Sequence, residues 1–315
     1  MKQFLSVDDV PSVPMLLKEA IIVKRNPRGW KELGADKTIC LLFFNNSLRT
    51  RLSSQRAAAN LGMDAIVLDI NAGGWKLEFG DGTVMSGDTA EHVKEGAAVI
   101  GSYFDLVAIR SFAGLENKVD DYSEKVLSAF VKYCGVPVIN MESATGHPLQ
   151  AFADLITIEE NKTVARPKVV LTWAPHPKAL PQAVSNSFVR WMKRAEVDLV
   201  VTHPEGYDLD PEVMGDMSPE YDQAKAFEGA DFVYAKNWSS FTEYGKVLRT
   251  DSEWMVTAQK MSLTNNAKFM HCLPVRRNVV VEDAVIDSPN SLVIEEATNR
   301  IVSMQTVLKT ILEDA

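Results

Sequence analysis

Short apolar runs rich in β-branched residues alternate along the whole chain with segments of helical periodicity. Such alternation is typical of parallel sheets that carry helices on both faces. The predicted strands, four in each half of the chain, are 38–44, 64–70, 104–109, 136–141, 168–173, 197–203, 232–236 and 268–272. We therefore expect an α/β fold with two doubly wound parallel sheets.

The length of the chain, 315 residues, exceeds that of most single domains and favours two domains of about 150 residues each. Segment 148–160 begins with a proline and repeats small or apolar residues at helical spacing, which predicts a helix that joins the domains. Segment 294–312 predicts a C-terminal helix that packs back on the first domain. The expected domains are residues 1–147 with 294–315, and residues 148–293.

Charge and composition exclude several classes of partner. The chain has 33 Lys and Arg against 42 Asp and Glu, and this net charge of −9 argues against broad attraction to nucleic acid or anionic membranes. Its longest apolar run, 39–44, is far shorter than the roughly 18 residues of a membrane span, and no signal peptide is recognisable. We expect a cytoplasmic protein. The three cysteines form no CxxC pair, so neither a disulfide framework nor a metal site is expected.

Segment 73–89 differs from the rest of the chain. It contains five glycines, Trp75 and Asp88 and shows no sustained periodicity, which predicts a long exposed loop. Loops of this length within compact domains are usually functional or disordered. The large apolar side chain of Trp75 favours a functional role, and a simple surface loop is the alternative.

The end of the first predicted strand, 38–44, leads into an alanine-rich helix for which Ser47 is the predicted N-cap. The positive end of the helix dipole disfavours Arg49 and Arg51 unless an anion compensates. Backbone amides and the Thr50 hydroxyl add donors, so the segment favours a phosphate site. The usual glycine-rich nucleotide motifs are missing. An ordinary solvated first turn is the alternative.

A second candidate site follows the fourth predicted strand, at 146–150. Ligands of parallel sheets collect at the carboxyl ends of the strands. His147 can donate to a carbonyl oxygen, and Gln150 can accept from an amide while it donates elsewhere. His147 can also be an ordinary hydrogen-bonding residue at a helix start. Glu142 is either a partner for a substrate amine or a surface carboxylate.

A third candidate site lies at 271–274, after the last predicted strand. Cys272 is either a reactive thiol or a small buried hydrophobe. Arg276 and Arg277 form either a carboxylate clamp or a solvated face. Cationic residues at several strand ends of an acidic protein indicate a focused anionic site. Two more of them stand at the ends of predicted strands: Arg110 and Lys236.

Three motifs in this order resemble the aspartate and ornithine carbamoyltransferase family: S-L-R-T-R at 47–51, H-P-L-Q at 147–150 and H-C-L-P at 271–274. The resemblance extends to A-D-L-I-T-I-E-E at 153–160 and T-N-R at 298–300. It implies two α/β domains that bind carbamoyl phosphate mainly through the first and an amino acceptor through the second. It also implies a homotrimer with active sites shared between subunits, and no cofactor or metal.

Residues that match the family's motifs take their expected roles from the resemblance. It implies that Arg110, His147 and Cys272 are catalytic, with Arg110 bridging the phosphate and the carbonyl oxygen. Trp75 is expected to reach into the site of a neighbouring subunit. The residues expected to bind carbamoyl phosphate are Ser47, Leu48, Arg49, Thr50, Trp75, Arg110, His147, Pro148, Leu149, Gln150, Cys272, Leu273 and Arg300.

The chain departs from ordinary ornithine carbamoyltransferases, in which an S-M-G loop grips the free α-amine. Here the corresponding stretch is W-S-S-F at 238–241, which argues against free ornithine as the acceptor. W-K-L-E at 75–78, H-P-K-A-L-P at 176–181 and K-N-W at 236–238 resemble instead the branch that acts on Nα-acylated ornithine. The residues expected to bind this acceptor are Glu142, His176, Lys236, Arg276 and Ala90.

Charge distinguishes the two possible acyl groups of the acceptor. N-succinylornithine has one carboxylate more than N-acetylornithine and needs another cationic partner. In the loop that meets the acyl group, acetyl-specific relatives resemble one another in having a glutamate, and succinyl-specific relatives resemble one another in having a proline. This chain has Ala90 at that position. The missing carboxylate favours N-succinyl-L-ornithine, and the neighbouring Glu91 keeps N-acetyl-L-ornithine as an alternative.

We expect direct attack of the deprotonated δ-amine on the carbamoyl carbon. Thr50, Arg110 and His147 would stabilise the oxyanion. Cys272 would position groups or handle a proton rather than form a covalent intermediate. A catalytically silent paralogue and a nucleotide-dependent oxidoreductase are the alternatives, and the second lacks a glycine fingerprint.

Overall fold

The computed structural model describes residues 1–70 and 74–314. The chain forms two compact units, Met1–Leu149 with Arg300–Ala315 and Gln150–Asn299. We call them unit 1 and unit 2. The predicted boundaries, after residues 147 and 293, lie close to this division. The substrates assigned to the two domains stay a prediction.

Unit 1 contains a four-stranded parallel sheet. The strand order is β2-β1-β5-β6, and every neighbouring pair is parallel. Its strands are β1 (Thr38–Phe43), β2 (Asp64–Asp69), β5 (Leu106–Arg110) and β6 (Val138–Glu142), with the small pair β3 (Leu77–Glu78) and β4 (Glu91–His92). Its helices include α1 (Val13–Arg25), α2 (Arg49–Asn60), α3 (Val93–Tyr103), α4 (Lys118–Tyr122) and α5 (Lys125–Tyr133).

Burial on both faces explains why β1 is a continuous apolar run. Its residues from Ile39 to Phe43 are all fully buried, as expected of a central strand in a covered parallel sheet. Each fully buried Leu or Phe side chain contributes about 1.5–3 kcal/mol. On one face, α3 passes α5 so closely that a Cβ at Gly101 would lie 1.7 Å from the carbonyl oxygen of Cys134. Only glycine allows that approach.

Unit 2 contains the second parallel sheet, in the order β10-β9-β7-β8. Its strands are β7 (Lys168–Trp173), β8 (Asp198–Thr202), β9 (Phe232–Lys236) and β10 (Lys268–Met270). Its shorter helices are α7 (Ala183–Met192), α8 (Pro211–Met214), α9 (Gln223–Phe227), α10 (Ala258–Met261) and α11 (Asp283–Ile286). Two parallel sheets with intervening helices confirm the predicted α/β fold class.

Two long helices, α6 (Pro148–Asn161) and α12 (Val293–Glu313), contain the points where the chain passes between the units. Both predicted helices are confirmed. The part of α12 from residue 300 onward belongs to unit 1. There the Ser303 hydroxyl donates to the Leu149 carbonyl at 2.7 Å, and Asn60 donates to Gln305 at 2.8 Å. The expected return of the C-terminal helix to the first domain is therefore correct.

The prediction of one uninterrupted loop over 73–89 is wrong in part. Gly73 lies outside the described residues, and residues 77–78 form β3, which pairs with β4 through a parallel bridge. Leu77 lies opposite Glu91 and Glu78 opposite His92 in this pair. Residues 81–88 are exposed, as predicted. Within residues 1–70 and 74–314, no helix is both long enough and apolar enough to cross a membrane.

Candidate active site

The first predicted site begins where β1 passes into α2. Leu48, not Ser47, is the N-cap residue, and its side chain makes no capping bond. The Ser47 hydroxyl nevertheless accepts from the Thr50 backbone amide at 3.2 Å. The prediction of Ser47 as the N-cap is therefore wrong by one position, because α2 begins later than the sequence pattern suggests. The serine still satisfies an amide of the first turn.

Thr50 is the point at which two arginines of unit 1 meet. Arg110, the last residue of β5, donates to the Thr50 hydroxyl at 3.0 Å, and Arg300 of α12 donates to the same oxygen at 2.5 Å. All three side chains are at least nine-tenths buried. Burying two guanidinium groups is costly unless anions compensate them. This cluster is therefore suited to an anionic ligand.

Glu142, at the end of β6, brings a negative charge to this cluster. Its Oε2 atom lies 2.5 Å from Arg110 Nη1 and 3.3 Å from His147 Nε2. Phe112 packs against Arg110, with the guanidinium carbon 4.3 Å from the ring centre. Glu142 therefore contacts both the Arg110 guanidinium and the His147 ring. The structure thus brings together Thr50, Arg110, His147 and Arg300, which lie far apart in the sequence.

The loop that carries His147 is held by Glu124, a residue that the sequence analysis missed. Glu124 has a left-handed backbone (φ 49°), and its carboxylate accepts from the Ser143 hydroxyl at 2.7 Å and the Thr145 amide at 2.8 Å. Asn140 donates to the same Ser143 hydroxyl at 3.0 Å. These bonds fix the loop between β6 and α6. No local pattern marks Glu124, because its partners lie some twenty residues ahead.

In unit 2, His176 and Arg276 form a hydrogen-bonded pair. Arg276 Nε donates to His176 Nε2 at 3.2 Å, and Nδ1 of the ring lies 2.9 Å from the Lys178 carbonyl oxygen. Burial lowers the pKa of His176, and the charges of Lys236 and Arg276 lower it further. The lowered pKa favours a neutral ring at pH 7, whose Nε2 atom accepts from the guanidinium. The Lys178 amide also lies 3.1 Å from Nδ1, so residue 178 fixes the ring on that side. The pair is a cationic group suited to carboxylates.

Two of the other candidate cations differ in their surroundings. Arg277 Nη1 lies 2.8 Å from Asp283, and Nη2 lies 2.6 Å from Asp287, so its charge is compensated within unit 2. Lys236 is 8% exposed, and its ammonium donates to the Asn237 carbonyl at 3.1 Å. Arg277 is thus a structural residue, whereas Lys236 keeps a largely buried positive charge.

The acyl-loop candidates lie in unit 1. The Trp75 indole donates to Glu91 Oε2 at 2.8 Å, and the Trp75 side chain is 60% exposed. Ala90 is exposed, and its amide donates to the Lys76 carbonyl at 3.1 Å. The carboxylate beside Ala90 is thus already bonded to Trp75.

The third motif places Cys272 beyond the last strand of unit 2. β10 ends at Met270, two residues before the predicted end, because the His271 amide donates to Glu296 Oε2 at 2.9 Å rather than to a neighbouring strand. Cys272 is partly exposed. Leu273 has a left-handed backbone, and its amide donates to His271 Nδ1 at 2.9 Å.

Gln150, predicted to hold a carbamoyl group, is fully buried on α6. Its amide nitrogen donates to Asp154 Oδ1 at 2.8 Å and to Glu296 Oε1 at 3.1 Å. Its carbonyl oxygen has no hydrogen-bond partner among the described residues. That oxygen can accept from an N–H of a ligand. Within the same described part of the chain, no group of three or more His, Cys, Asp or Glu side chains is arranged to hold a metal ion.

Comparison with known proteins gives full-length relatives. The chain is 55% identical to the N-succinylornithine carbamoyltransferase of Bacteroides fragilis (strain 638R), over 100% of this chain and 99% of that protein. It is 39% identical to the N-acetylornithine carbamoyltransferase of Xanthomonas axonopodis pv. citri (strain 306), over 100% of this chain and 98% of that protein.

Solved structures resemble this one over nearly its whole length. One is an N-acetyl-L-ornithine transcarbamylase in which one glutamate is replaced by valine, complexed with carbamyl phosphate and N-succinyl-L-norvaline. It matches with a TM-score of 0.93 at 38% identity, over 99% of this chain and 100% of that one. Residues 2–160 match the carbamoyl-P binding domain of aspartate/ornithine carbamoyltransferases, and residues 181–311 match their Asp/Orn binding domain. The chain therefore belongs to the aspartate/ornithine carbamoyltransferase family.

Proposed function

We propose that the protein transfers the carbamoyl group of carbamoyl phosphate to the δ-amine of N-succinyl-L-ornithine, a step of arginine biosynthesis. The products are N-succinyl-L-citrulline and phosphate. The observation that carries this proposal is the buried convergence of Arg110 and Arg300 on Thr50, beside His147. Relatives that are 55% identical over the full length bear the name of this activity.

Carbamoyl phosphate is assigned to unit 1. Its phosphate is placed at the start of α2, where Ser47, Leu48, Arg49 and Thr50 precede or form the first turn, and is also bound by Arg300. Arg110 and His147 then act on the carbonyl oxygen and stabilise the negative charge that develops on it. His147 adjoins Pro148 and Leu149, which start α6. The phosphate displaces Glu142 from Arg110, since both anions need the same guanidinium.

The acceptor is assigned to the cationic group of unit 2. N-succinyl-L-ornithine carries two carboxylates, and Arg276 and Lys236 supply two positive charges, while neutral His176 orients Arg276. Glu142 is assigned to the δ-ammonium before it loses its proton. Gln150 offers its carbonyl oxygen, and Cys272 with Leu273 lines the reacting group. The amine of the acceptor attacks directly, and the leaving phosphate is placed to take its proton.

Ala90 supports the succinyl group as the acyl substituent. We assign Ala90 to the position of a glutamate that was replaced by valine, alanine, proline or serine in N-acetyl-L-ornithine transcarbamylases complexed with N-succinyl-L-norvaline. Loss of that carboxylate removes repulsion against the distal carboxylate of a succinyl group. In this chain the neighbouring carboxylate, Glu91, is bonded to Trp75.

The second candidate is N-acetyl-L-ornithine as the acceptor, because relatives of that name are 39% identical over the full length. The decisive experiment measures ureido product from carbamoyl phosphate with ornithine, N-acetylornithine and N-succinylornithine, each alone at equal concentration. We expect kcat/KM to favour the succinyl compound by about 100-fold, the value of one well-placed charge-assisted contact. A preference for the acetyl compound would overturn the assignment of Ala90, and no product with any acceptor would indicate a silent paralogue.

We also propose a homotrimer whose active sites are shared between subunits through Trp75. Unit 1 exposes apolar side chains at the N-cap of α2 (Leu48, 70%), on α2 itself (Leu52, 58%) and on the edge strand β2 (Ile66, 52%). A surface of this kind favours contact with another copy of the chain. The expected cytoplasmic location stays a prediction, which cell fractionation tests.

A further inference from the structure

Four residues, 143–146, connect Glu142 at the end of β6 with His147 just before α6. We call them the histidine loop; they form no helix or strand. The end of β6 is fixed to β5, because the Ser111 amide donates to the Glu142 carbonyl at 2.8 Å. The position of His147 beside Arg110 therefore depends on the conformation of the histidine loop.

Glu124 binds the histidine loop through four donors. Its Oε1 atom accepts from the Ser143 hydroxyl at 2.7 Å, and from the amide and the hydroxyl of Thr145 at 2.8 and 2.5 Å. Its Oε2 atom accepts from the Ala144 amide at 3.3 Å. Hydrogen bonds to a carboxylate are stronger than those between neutral groups. One side chain thus holds three consecutive residues of the loop.

The backbone conformation of Glu124 is unfavourable for a glutamate. Its φ of 49° and ψ of 40° lie in the left-handed region, which glycine adopts freely and residues with a Cβ adopt at an energetic cost. Such a conformation persists only where surrounding contacts outweigh its cost, and it is commonest at functional sites. The contacts here are side-chain bonds that glycine cannot make. They explain why a glutamate occupies this position.

Helix α5 gives Glu124 a rigid support. Glu124 is the N-cap residue of this helix, and its carbonyl accepts the Ser128 amide at 2.8 Å. Within α5, the side chains of Leu127 and Phe130 are buried in the core of unit 1. A group on an element that is locked by packing holds its partners more precisely than a group on a loop. The histidine loop is thereby tied to the core of unit 1.

We propose that Glu124 is a positioning residue, which fixes the histidine loop and thereby holds His147 beside Arg110. Its effect on catalysis rests on the proposed carbamoyl transfer. Glu124 touches no reacting atom in this proposal and acts only through residues 143–146. His147 is assigned to the carbonyl oxygen, where negative charge develops as the amine attacks. Glu124 therefore acts on the transition state more than on substrate binding.

Two variants remove the carboxylate in different ways. Glu124→Gln keeps the shape of the side chain but replaces one acceptor oxygen with an NH2 donor. Glu124→Gly removes the side chain and introduces the residue that favours the left-handed backbone. Glu116→Gln, the same substitution at an exposed position before α4, is the control. Circular dichroism establishes that each variant folds, and either folded Glu124 variant decides the test.

Hydrogen–deuterium exchange of the substrate-free protein measures the loop itself. The Ala144 and Thr145 amides both donate to Glu124. We expect them to exchange about tenfold faster in both Glu124 variants, because loss of a bond to a charged acceptor weakens their protection by about that factor. Amides of α7 in unit 2 should exchange as in the parent chain, and so should the whole of Glu116→Gln.

Steady-state kinetics separates positioning from a merely structural role. We expect kcat to fall about 100-fold in both Glu124 variants, the effect of displacing a positioned group by about 1 Å. The KM for carbamoyl phosphate should change by less than about twofold, since its phosphate is assigned to α2 and Arg300. A variant that is only less stable would melt at a lower temperature with kcat unchanged.

An unchanged kcat in a folded Glu124 variant, whether or not KM rises, would overturn the positioning role. Unchanged exchange at residues 144 and 145 would overturn it too, because the loop would then not depend on Glu124. If the parent chain gives no ureido product with any acceptor, the proposed reaction is refuted. The exchange rates then decide by themselves whether Glu124 fixes the histidine loop.

Discussion

At the scale of single residues, Glu142 decides how unit 1 behaves without an anion. Its carboxylate contacts both Arg110 and His147, the two groups expected to act on the carbonyl oxygen. A buried ion pair of this kind compensates the cost of desolvating the arginine. The same contact opposes any other anion that needs Arg110. Glu142 is therefore an internal competitor of the phosphate.

This competition predicts the effect of Glu142→Gln. The neutral amide releases Arg110 more easily, so inorganic phosphate should inhibit the variant at about tenfold lower concentration, the lower end of what one charge-assisted bond contributes. The inhibition constant of phosphate against carbamoyl phosphate is the measurement. Asp105→Asn, which alters an ion pair with Lys37 just before β5, is the matched control. Weaker inhibition in Glu142→Gln would mean that Glu142 orients Arg110 instead.

At the scale of elements, the contact of α6 with α12 in unit 2 links stability to pH. The pKa of Glu296 is raised in the folded chain above its ordinary value of 4.5. A raised pKa means that the folded state binds more protons than the unfolded state, so this group's contribution is complete below pH 4.5 and is lost as pH rises towards the folded pKa. The helix contact is therefore weakened by alkali.

Glu296→Gln removes this titration and keeps the shape of the side chain. We expect the melting temperature of the variant, relative to the parent chain, to increase between pH 5 and pH 8. Differential scanning calorimetry at both pH values gives the comparison, and Glu160→Gln reports the effect of a more exposed carboxylate on α6. A difference that is the same at both pH values would mean that Glu296 ionises in the folded chain as in the unfolded one.

At the scale of the whole molecule, the proposed trimer makes each active site depend on two chains. Trp75 of one subunit would complete a site whose Arg110 belongs to its neighbour. Trp75→Ala and Arg110→Gln should each reduce activity by about 100-fold, as loss of substrate positioning does. Light scattering of the parent chain should give three times the mass of 34.9 kDa.

Mixing the two inactive variants tests the shared site directly. After dissociation and reassembly, some sites receive Trp75 from one subunit and Arg110 from the other, and activity should return. Reassembled samples of each single variant are the controls and should stay inactive. A monomer in solution, or a mixture without recovered activity, would place Trp75 outside the active site.

The sequence by itself determined the eight strands of the two parallel sheets, their order and the two long helices. The strand spans of β7 and β9 and the long helices α6 and α12 follow from local periodicity, since each pattern reports the burial of its own residues. The three motifs likewise marked His147, Cys272 and the start of α2 as candidates, and Arg110 was marked by its place at the end of a predicted strand. Each of these patterns lies within one segment of the chain and can be recognised without knowing which other segments pack against it.

Only the tertiary structure decided which side chains meet. The bond of Arg300 to Thr50 spans 250 positions, that of Glu296 to Gln150 spans 146, and Glu124 holds a loop about twenty positions away. The structure also corrected the position of the N-cap of α2. It corrected the end of β10 as well, because the His271 amide bonds to Glu296 rather than to a neighbouring strand. Hydrogen bonds and buried charges depend on distance in space, and a linear pattern carries that information only for residues a turn or a pleat apart.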